Sequence, residues 1–269
     1  MSLPLLSYRL SGQPGKQPLL FLHGFMGCGD DWDELAVKFS NDHAIITVDL
    51  PGHGDSYPLC EKAAAARHYS MSGCAELIIS LLDHLSLVRP HVIGYSMGGR
   101  LALYLATHHA DRFGRFVVES ASPGLNSERE REERRLRDQQ LADTLRTEAL
   151  DDFLEFWYDQ PLFDTLDRTS DGFLRLLERR RRGNPEGYAR SLEHMGIGRQ
   201  PSLWDKLPEI NTPILFLAGE KDHKFNRLAD EMAHLCPHGQ LAIIAGAGHN
   251  VHVEQPGPYY EQLAGFLKR

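Results

Sequence analysis

The sequence contains no uninterrupted apolar run of about eighteen residues, the length that a membrane-spanning helix requires. Residues 1–6 also lack a basic start followed by a long apolar core, which is the pattern of a secretory signal. We therefore expect a cytoplasmic protein without a membrane span.

An excess of positive charge is absent as well. The chain has 29 Lys and Arg against 37 Asp and Glu, a formal net charge of -8 at pH 7. A protein without a positive field does not attract nucleic acid or an anionic membrane surface. We expect neither as a partner, and we interpret the acidic surface as an aid to solubility.

Cysteine is scarce and scattered. Cys28, Cys60, Cys74 and Cys236 form no Cys-x-x-Cys pair and no zinc-ligand spacing with histidine. This usage favours a reducing compartment and predicts no metal site. The glycine-rich phosphate-binding loops of nucleotide enzymes are missing too.

Short apolar runs alternate with helix-like stretches through the first half of the chain. In 74–85 the apolar residues recur at the spacing of a helix that buries one face. This alternation predicts an α/β fold with a mostly parallel sheet flanked by helices. The predicted strands are 18–23, 44–49, 90–94, 116–120, 213–218 and 240–244.

The segment 125–208 has no convincing buried strand and is rich in charged, helix-like stretches. The pattern predicts a core domain formed by 1–124 and 209–269, with 125–208 inserted as a helical cap. The cap holds 14 of the 22 arginines, yet it is not net basic, since it has 18 Asp and Glu against 15 Arg and Lys. Its arginines either reach into a cleft to hold carboxylates or pair with acids on a solvated surface.

A serine follows the strand at 90–94 within Gly94-Tyr95-Ser96-Met97-Gly98, and a helix follows in turn. Gly-x-Ser-x-Gly between a strand and a helix is typical of the nucleophile elbow of the α/β-hydrolase fold. Small residues suit so tight and strained a turn. An ordinary glycine-rich turn is the alternative interpretation.

Two later turns weaken that alternative. Asp222 follows the strand at 213–218, and His249 follows the strand at 240–244, so both should lie at the same sheet edge as Ser96. Ser, Asp, His is the chain order of this fold. His249 would accept the serine proton, and Asp222 would hold the imidazole and stabilise its charged form.

The loop after the first predicted strand contains His23, Gly24 and Phe25. In this fold the backbone N–H groups of that loop and of the residue after the nucleophile form an oxyanion hole, which here means Phe25 and Met97. We interpret His23 as a structural residue bonded to loop backbone.

Arg100 lies one helical turn beyond Ser96, so its side chain either projects toward the site or forms a structural salt bridge. Spacing alone does not separate these two possibilities.

The chain resembles a known family, the 2-succinyl-6-hydroxy-2,4-cyclohexadiene-1-carboxylate synthases. These are α/β-hydrolase-fold lyases of menaquinone or, in phototrophs, phylloquinone biosynthesis. The similarity covers nearly the whole chain. Its motifs are Phe21-Leu22-His23-Gly24-Phe25, Val48-Asp49-Leu50-Pro51-Gly52-His53-Gly54, Gly94-Tyr95-Ser96-Met97-Gly98-Gly99-Arg100, Pro123-Gly124-Leu125, Trp157-Tyr158-Asp159-Gln160-Pro161-Leu162-Phe163, Gly219-Glu220-Lys221-Asp222-His223-Lys224-Phe225 and Ala247-Gly248-His249-Asn250.

The resemblance implies a 2,5-elimination of pyruvate from a succinyl-enolpyruvyl cyclohexene carboxylate, with Ser96 as a proton-abstracting base. It implies a small anionic substrate and no metal or organic cofactor. One arginine of the run 179–182, by alignment Arg180, is among the implied substrate-binding residues. The full set is Tyr95, Arg100, Arg134, Trp157, Tyr158, Arg180 and Lys224.

Two other functions stay open at this point. A serine hydrolase acting on an ester or a carbon–carbon bond would use the same triad. A non-enzymatic binding protein is disfavoured because no catalytic position is missing. The sequence does not predict an oligomeric state.

Overall fold

The computed structural model describes residues 5–56 and 65–268 of the chain, so Cys60 and residues 1–4 lie outside the description. Seven strands in the described ranges form one sheet. They are β1 (Tyr8–Gly12), β2 (Pro18–Leu22), β3 (Ala44–Val48), β4 (His91–Tyr95), β5 (Phe116–Glu119), β6 (Ile214–Gly219) and β7 (Gly239–Ile244).

Eleven α-helices lie in the same ranges. They are α1 (Asp33–Phe39), α2 (Ala65–Tyr69), α3 (Met71–His84), α4 (Met97–His108), α5 (Glu128–Thr147), α6 (Leu150–Tyr158), α7 (Asp171–Arg181), α8 (Pro185–Met195), α9 (His223–Leu235), α10 (Val251–Glu254) and α11 (Pro256–Leu267). None of these helices is both long and apolar enough to cross a bilayer.

The strand order across the sheet is β1-β3-β2-β4-β5-β6-β7. Only β1 runs antiparallel to its neighbour, while β2 to β7 are parallel, so their carboxyl ends meet at one edge. The predicted α/β architecture, a mostly parallel sheet flanked by helices, is confirmed. The six predicted strands are all present, with ends shifted by a residue at most.

Strand β1 was missed by the sequence analysis. Its central residues Arg9, Leu10 and Ser11 are exposed, so it has no apolar run to reveal it. It forms because Tyr8 and Gly12 pair across the sheet edge with Val48 and Ala44 of β3.

The sheet is buried on both faces, as parallel sheets usually are. Leu20 and Leu22 of β2 pack in one apolar layer, and Leu19 and Phe21 of the same strand pack in the other. The helix α3 contributes the predicted stripe to the first layer, since its apolar face from 74 to 82 is buried. Each fully buried side chain of this kind stabilises the fold by about 1.5–3 kcal/mol.

Between β5 and β6 the chain forms the four helices α5 to α8, which we call the cap helices. Helix α5 begins with a capping box, in which Ser127 and Glu130 each accept a hydrogen bond from the other's backbone N–H. The cap helices share an apolar cluster with Met26 of the loop after β2. This cluster fixes the cap helices at the carboxyl edge of the sheet.

Candidate active site

The turn at Ser96 is a strained elbow between β4 and α4. Ser96 has φ +50° and ψ -104°, a left-handed conformation that non-glycine residues rarely adopt. Its N–H donates to the carbonyl of Glu119 at 2.8 Å. A Cβ on Gly94 or Gly98 would collide with backbone atoms, so the elbow requires glycine at both positions.

The structure brings Ser96, His249 and Asp222 together. Asp222 Oδ2 lies 2.7 Å from His249 Nδ1, and His249 Nε2 lies 3.3 Å from Ser96 Oγ. Asp222 caps the N-terminus of helix α9, and its Oδ1 accepts the N–H of Phe225 at 3.2 Å. Both Asp222 and His249 are buried.

This chain of contacts determines what His249 can do. An Nδ1–H donated to Asp222 leaves Nε2 as a proton acceptor facing Ser96. The contact between Nε2 and Oγ is at the long end of hydrogen bonding. The arrangement therefore supplies a serine oxygen that can lose its proton.

Ser96 and His249 open into a cavity of about 350 Å³ between the sheet edge and the cap helices. Four cationic side chains line it, and no Asp or Glu of the described residues does. The cations are Arg100, Arg134, Arg137 and Lys224. Apolar walls with a few convergent charged groups are typical of a small-molecule site.

Arg100 reaches the cavity from α4. Its Nη1 donates to the carbonyl of Met195 at 2.8 Å and to Gln200 Oε1 at 3.0 Å. Within residues 5–56 and 65–268 no carboxylate lies within 4.0 Å of it, so the alternative of a structural salt bridge is not realised there. Burial, with the nearby charge of Arg134, lowers the pKa of Arg100 to about 10, and the side chain stays cationic at pH 7.

Three more of the predicted binding residues line the cavity. Arg134 Nε donates to the buried Asp138 Oδ1 at 2.7 Å. Trp157 stacks on Phe153 with ring centroids 5.9 Å apart. Burial first, and then the charge of Arg134, lower the pKa of Lys224.

The expectation for Arg180 is corrected, because its guanidinium does not line the cavity. It forms a paired contact with the Asp31 carboxylate, Nη1 to Oδ1 at 2.9 Å and Nη2 to Oδ2 at 2.8 Å. Both side chains are buried. Burial alone would raise the pKa of Asp31, but the charge and hydrogen bonds of Arg180 outweigh it, and the pKa is lowered.

Tyr158 and Tyr95 are corrected in the same way. Tyr158 is buried and packs edge-on to Phe173 with centroids 5.3 Å apart. Tyr95 lies behind the triad, with its ring 5.6 Å from that of His249. A Cβ on Gly24 would lie 2.6 Å from the Tyr95 ring, so this tyrosine shapes the loop backbone and does not line the cavity.

The loop after β2 is held by His23. Its Nδ1 donates to the Gly24 carbonyl at 2.7 Å, and its Nε2 accepts the N–H of Leu50 at 2.9 Å. These two bonds require the neutral ring, and burial lowers the pKa of His23 accordingly. Phe25 and Met97 both line the cavity beside Ser96, so their backbone is close to the place where substrate would bind.

Several cavity residues were missed by the sequence analysis. Arg137, Gln160 and Phe225 line the cavity, and the Phe225 ring lies 4.6 Å from that of His249. For Arg137 a signal was present in the sequence. It stands three residues after Arg134 on one helix, and this spacing places both on one face.

A buried acid behind the triad was also missed. Glu119 is fully buried at the end of β5, and its carboxylate accepts the N–H of His252 at 3.1 Å and its Nδ1 at 2.8 Å. The Glu119 carbonyl also accepts the Ser96 N–H. Glu119 thus joins the elbow to helix α10, which starts two residues after His249.

In the described residues no group of three or more His, Cys, Asp or Glu is arranged to hold a metal ion.

The fold and the Ser–His–Asp geometry define an α/β-hydrolase-fold protein, and a sequence profile of the family described as alpha/beta hydrolase fold matches residues 17–256. A Citrobacter koseri protein named 2-succinyl-6-hydroxy-2,4-cyclohexadiene-1-carboxylate synthase is 36% identical over 257 residues, which are 96% of this chain and 96% of that protein. The chain belongs to the family of these synthases. The resemblance inferred from the motifs is confirmed.

Solved structures agree with this placement. One described as MenH from S. aureus has a TM-score of 0.90 and 33% identity, and the match covers 97% of each chain. A thermophilic esterase from Thermogutta terrifontis has a TM-score of 0.82 at 24% identity, over 98% of this chain and 93% of that one. The second likeness shows the fold alone.

Proposed function

We propose that this chain is a carbon–oxygen lyase of the 2-succinyl-6-hydroxy-2,4-cyclohexadiene-1-carboxylate synthase type. It eliminates pyruvate from 2-succinyl-5-enolpyruvyl-6-hydroxy-3-cyclohexene-1-carboxylate. The observation that carries the proposal is a cavity with a serine–histidine pair, four cations and no acid among its described lining residues. The substrate is small and has three carboxylates, which match this charge. The named relatives support the same reaction.

The triad of Ser96, His249 and Asp222 would act as the base. His249 takes the Ser96 hydroxyl proton, and the serine oxygen takes the proton from ring carbon 2. The electrons of that C–H bond form the C2–C3 double bond, the C3–C4 double bond moves to C4–C5, and the bond from C5 to the enolpyruvyl oxygen breaks. The enolpyruvate takes a proton and becomes pyruvate, so no water is consumed.

The oxyanion hole would act on the succinyl carbonyl. Ring carbon 2 is next to this carbonyl, so its oxygen gains negative charge as the proton leaves. The backbone N–H groups of Phe25 and Met97 are the proposed donors, and one such donor is typically worth about 10²–10³ in rate. Arg100, Arg134 and Lys224 would contribute to binding the carboxylates, and Trp157 would form an apolar wall.

Two further predictions belong to this proposal. The division into a core of 1–124 and 209–269 and a cap of 125–208 gives the substrate a cleft between two parts of the chain. Limited proteolysis with and without product would test that boundary, since product bound in the cleft should protect the boundary from cleavage.

The cytoplasm is the proposed location of the reaction, and fractionation of the source cells would test it.

The deciding experiment mixes the purified protein with the succinyl-enolpyruvyl substrate and follows pyruvate. We expect pyruvate release at ordinary enzyme rates, and hydrolysis of an activated ester only at the background rate. No pyruvate release, together with fast ester hydrolysis, would make the chain a serine hydrolase. Neither activity in a folded protein would make it a binding protein, and either result overturns the proposal.

A further inference from the structure

Helix α5 sorts its arginines between two faces. Arg134, Arg137 and Leu141 stand at i, i+3 and i+7, and all three line the cavity. On the outer surface Arg129 Nε pairs with Glu133 Oε1 at 2.9 Å. The face toward the cavity is therefore distinct from the solvated face with its ion pairs.

The four cations of the cavity differ in their partners. Arg134 is paired with Asp138. For Arg100, Arg137 and Lys224, no carboxylate of residues 5–56 and 65–268 lies within 4.0 Å. Among the described residues, the cavity thus presents three cations without a neutralising acid.

Arg137 is held in place by a neutral partner. Its Nη2 donates to Gln160 Oε1 at 3.3 Å, and Gln160 Nε2 donates to the carbonyl of Trp157 at 3.1 Å. The second bond orients the amide so that its oxygen faces Arg137. The guanidinium is therefore positioned without being neutralised, and its other N–H groups are available to a ligand.

We propose that Arg137 is a further substrate-binding residue and takes the carboxylate of the enolpyruvyl arm. This inference rests on the proposed function. The substrate has three carboxylates, and three of the lining cations have no acid within 4.0 Å among the described residues. Ser96 on the sheet side acts at ring carbon 2, and the enolpyruvyl arm leaves from carbon 5, across the ring. With carbon 2 at Ser96, we therefore place this arm on the cap side of the cavity, where Arg137 of α5 is an exposed lining cation.

The test compares Arg137→Gln with the parent in pyruvate release and in binding of the cyclohexadiene product. The product lacks the enolpyruvyl arm, so the two measurements separate that arm from the retained carboxylates. We expect KM for the substrate to rise about tenfold, as for a lost charged hydrogen bond at a partly exposed site. The Kd of the product should stay within about twofold, and Arg137→Lys should recover part of the loss.

Arg129→Gln is the matched control, because it removes the same charge from the outer face of the same helix. It should leave KM unchanged. An unchanged KM in Arg137→Gln, an equal rise in the Arg129→Gln control, or an equal loss of product affinity would each overturn the assignment. If the parent protein itself releases no pyruvate, the proposed function fails before the variants are compared, so the two failures are distinguishable.

Discussion

The cavity wall uses arginine in one way, and the contact between the loop after β2 and helix α7, which we call the interface, uses it in the opposite way. Arg180, behind the loop that follows β2, is buried and paired with two oxygens of Asp31. Arg100, on the cavity wall, has only neutral acceptors among the described residues. A guanidinium with its own carboxylate joins two parts of the chain, whereas one without a carboxylate is left for a ligand. The two uses therefore differ in the partner of the guanidinium, and not in how deeply the guanidinium is buried.

The largest expected effect is a loss of stability when the pair of Asp31 and Arg180 is broken. Asp31→Asn keeps the shape of the side chain but leaves the buried charge of Arg180 uncompensated. We expect the free energy of unfolding to fall by about 3–5 kcal/mol. Urea unfolding followed by circular dichroism measures it.

The control for this change removes both charges. Asp31→Leu combined with Arg180→Met should lose less stability than Asp31→Asn alone, because apolar side chains replace the pair without a stranded charge. A loss below about 1 kcal/mol in Asp31→Asn would mean that the pair does not hold the interface together.

The next effect concerns the cavity side. Arg100→Met should lower kcat/KM about 10- to 100-fold, because a charged hydrogen bond to a substrate carboxylate is worth about 1.5–3 kcal/mol. The change should be mainly in KM if the carboxylate is bound equally before and during the reaction. Steady-state pyruvate release measures both constants, and urea unfolding of the same variant provides the comparison with Asp31→Asn. A variant with parental kinetics and a large loss of stability would reverse our assignment of Arg100.

The smallest effect concerns the buried histidines of the interface. Burial lowers the pKa of both His23 and His53. Because the unfolded chain binds protons more readily at these rings, stability is full above the unfolded pKa of about 6.5 and falls as the pH drops below it. The free energy of unfolding should therefore be lower at pH 5.5 than at pH 7.5.

Unfolding free energies at pH 7.5 and 5.5 measure this loss. His53→Gln should reduce the difference in unfolding free energy between the two pH values, because one of the two buried neutral rings is then removed. A stability that is unchanged between pH 7.5 and 5.5 would contradict the neutral state of both histidines.

The triad could be predicted from the sequence because it depends on local rules. Ser96, Asp222 and His249 each follow an apolar strand, and parallel strands end at the same sheet edge. Strand β1 could not be predicted, since its exposed residues are held by pairing with β3 and not by an apolar pattern.

For the cap arginines the sequence analysis was right about Arg134, which lines the cavity, but it did not predict the partners of the run 179–182. In the run 179–182 every member has an acidic partner. Arg179 and Arg180 contact Asp31, Arg181 contacts Asp151, and Arg182 contacts Glu178. Helical spacing indicates which residues share a face, but it does not indicate whether an acid or an open cavity lies opposite that face.

The central claim is that Ser96 removes a proton in an elimination. Its most direct test is single-turnover pyruvate release by Ser96→Ala, with binding of the cyclohexadiene product as proof that the cavity is intact. We predict that pyruvate release falls about 10³-fold or more while the Kd of the product is unchanged. A variant that still binds product and releases pyruvate at the parental rate would contradict the account.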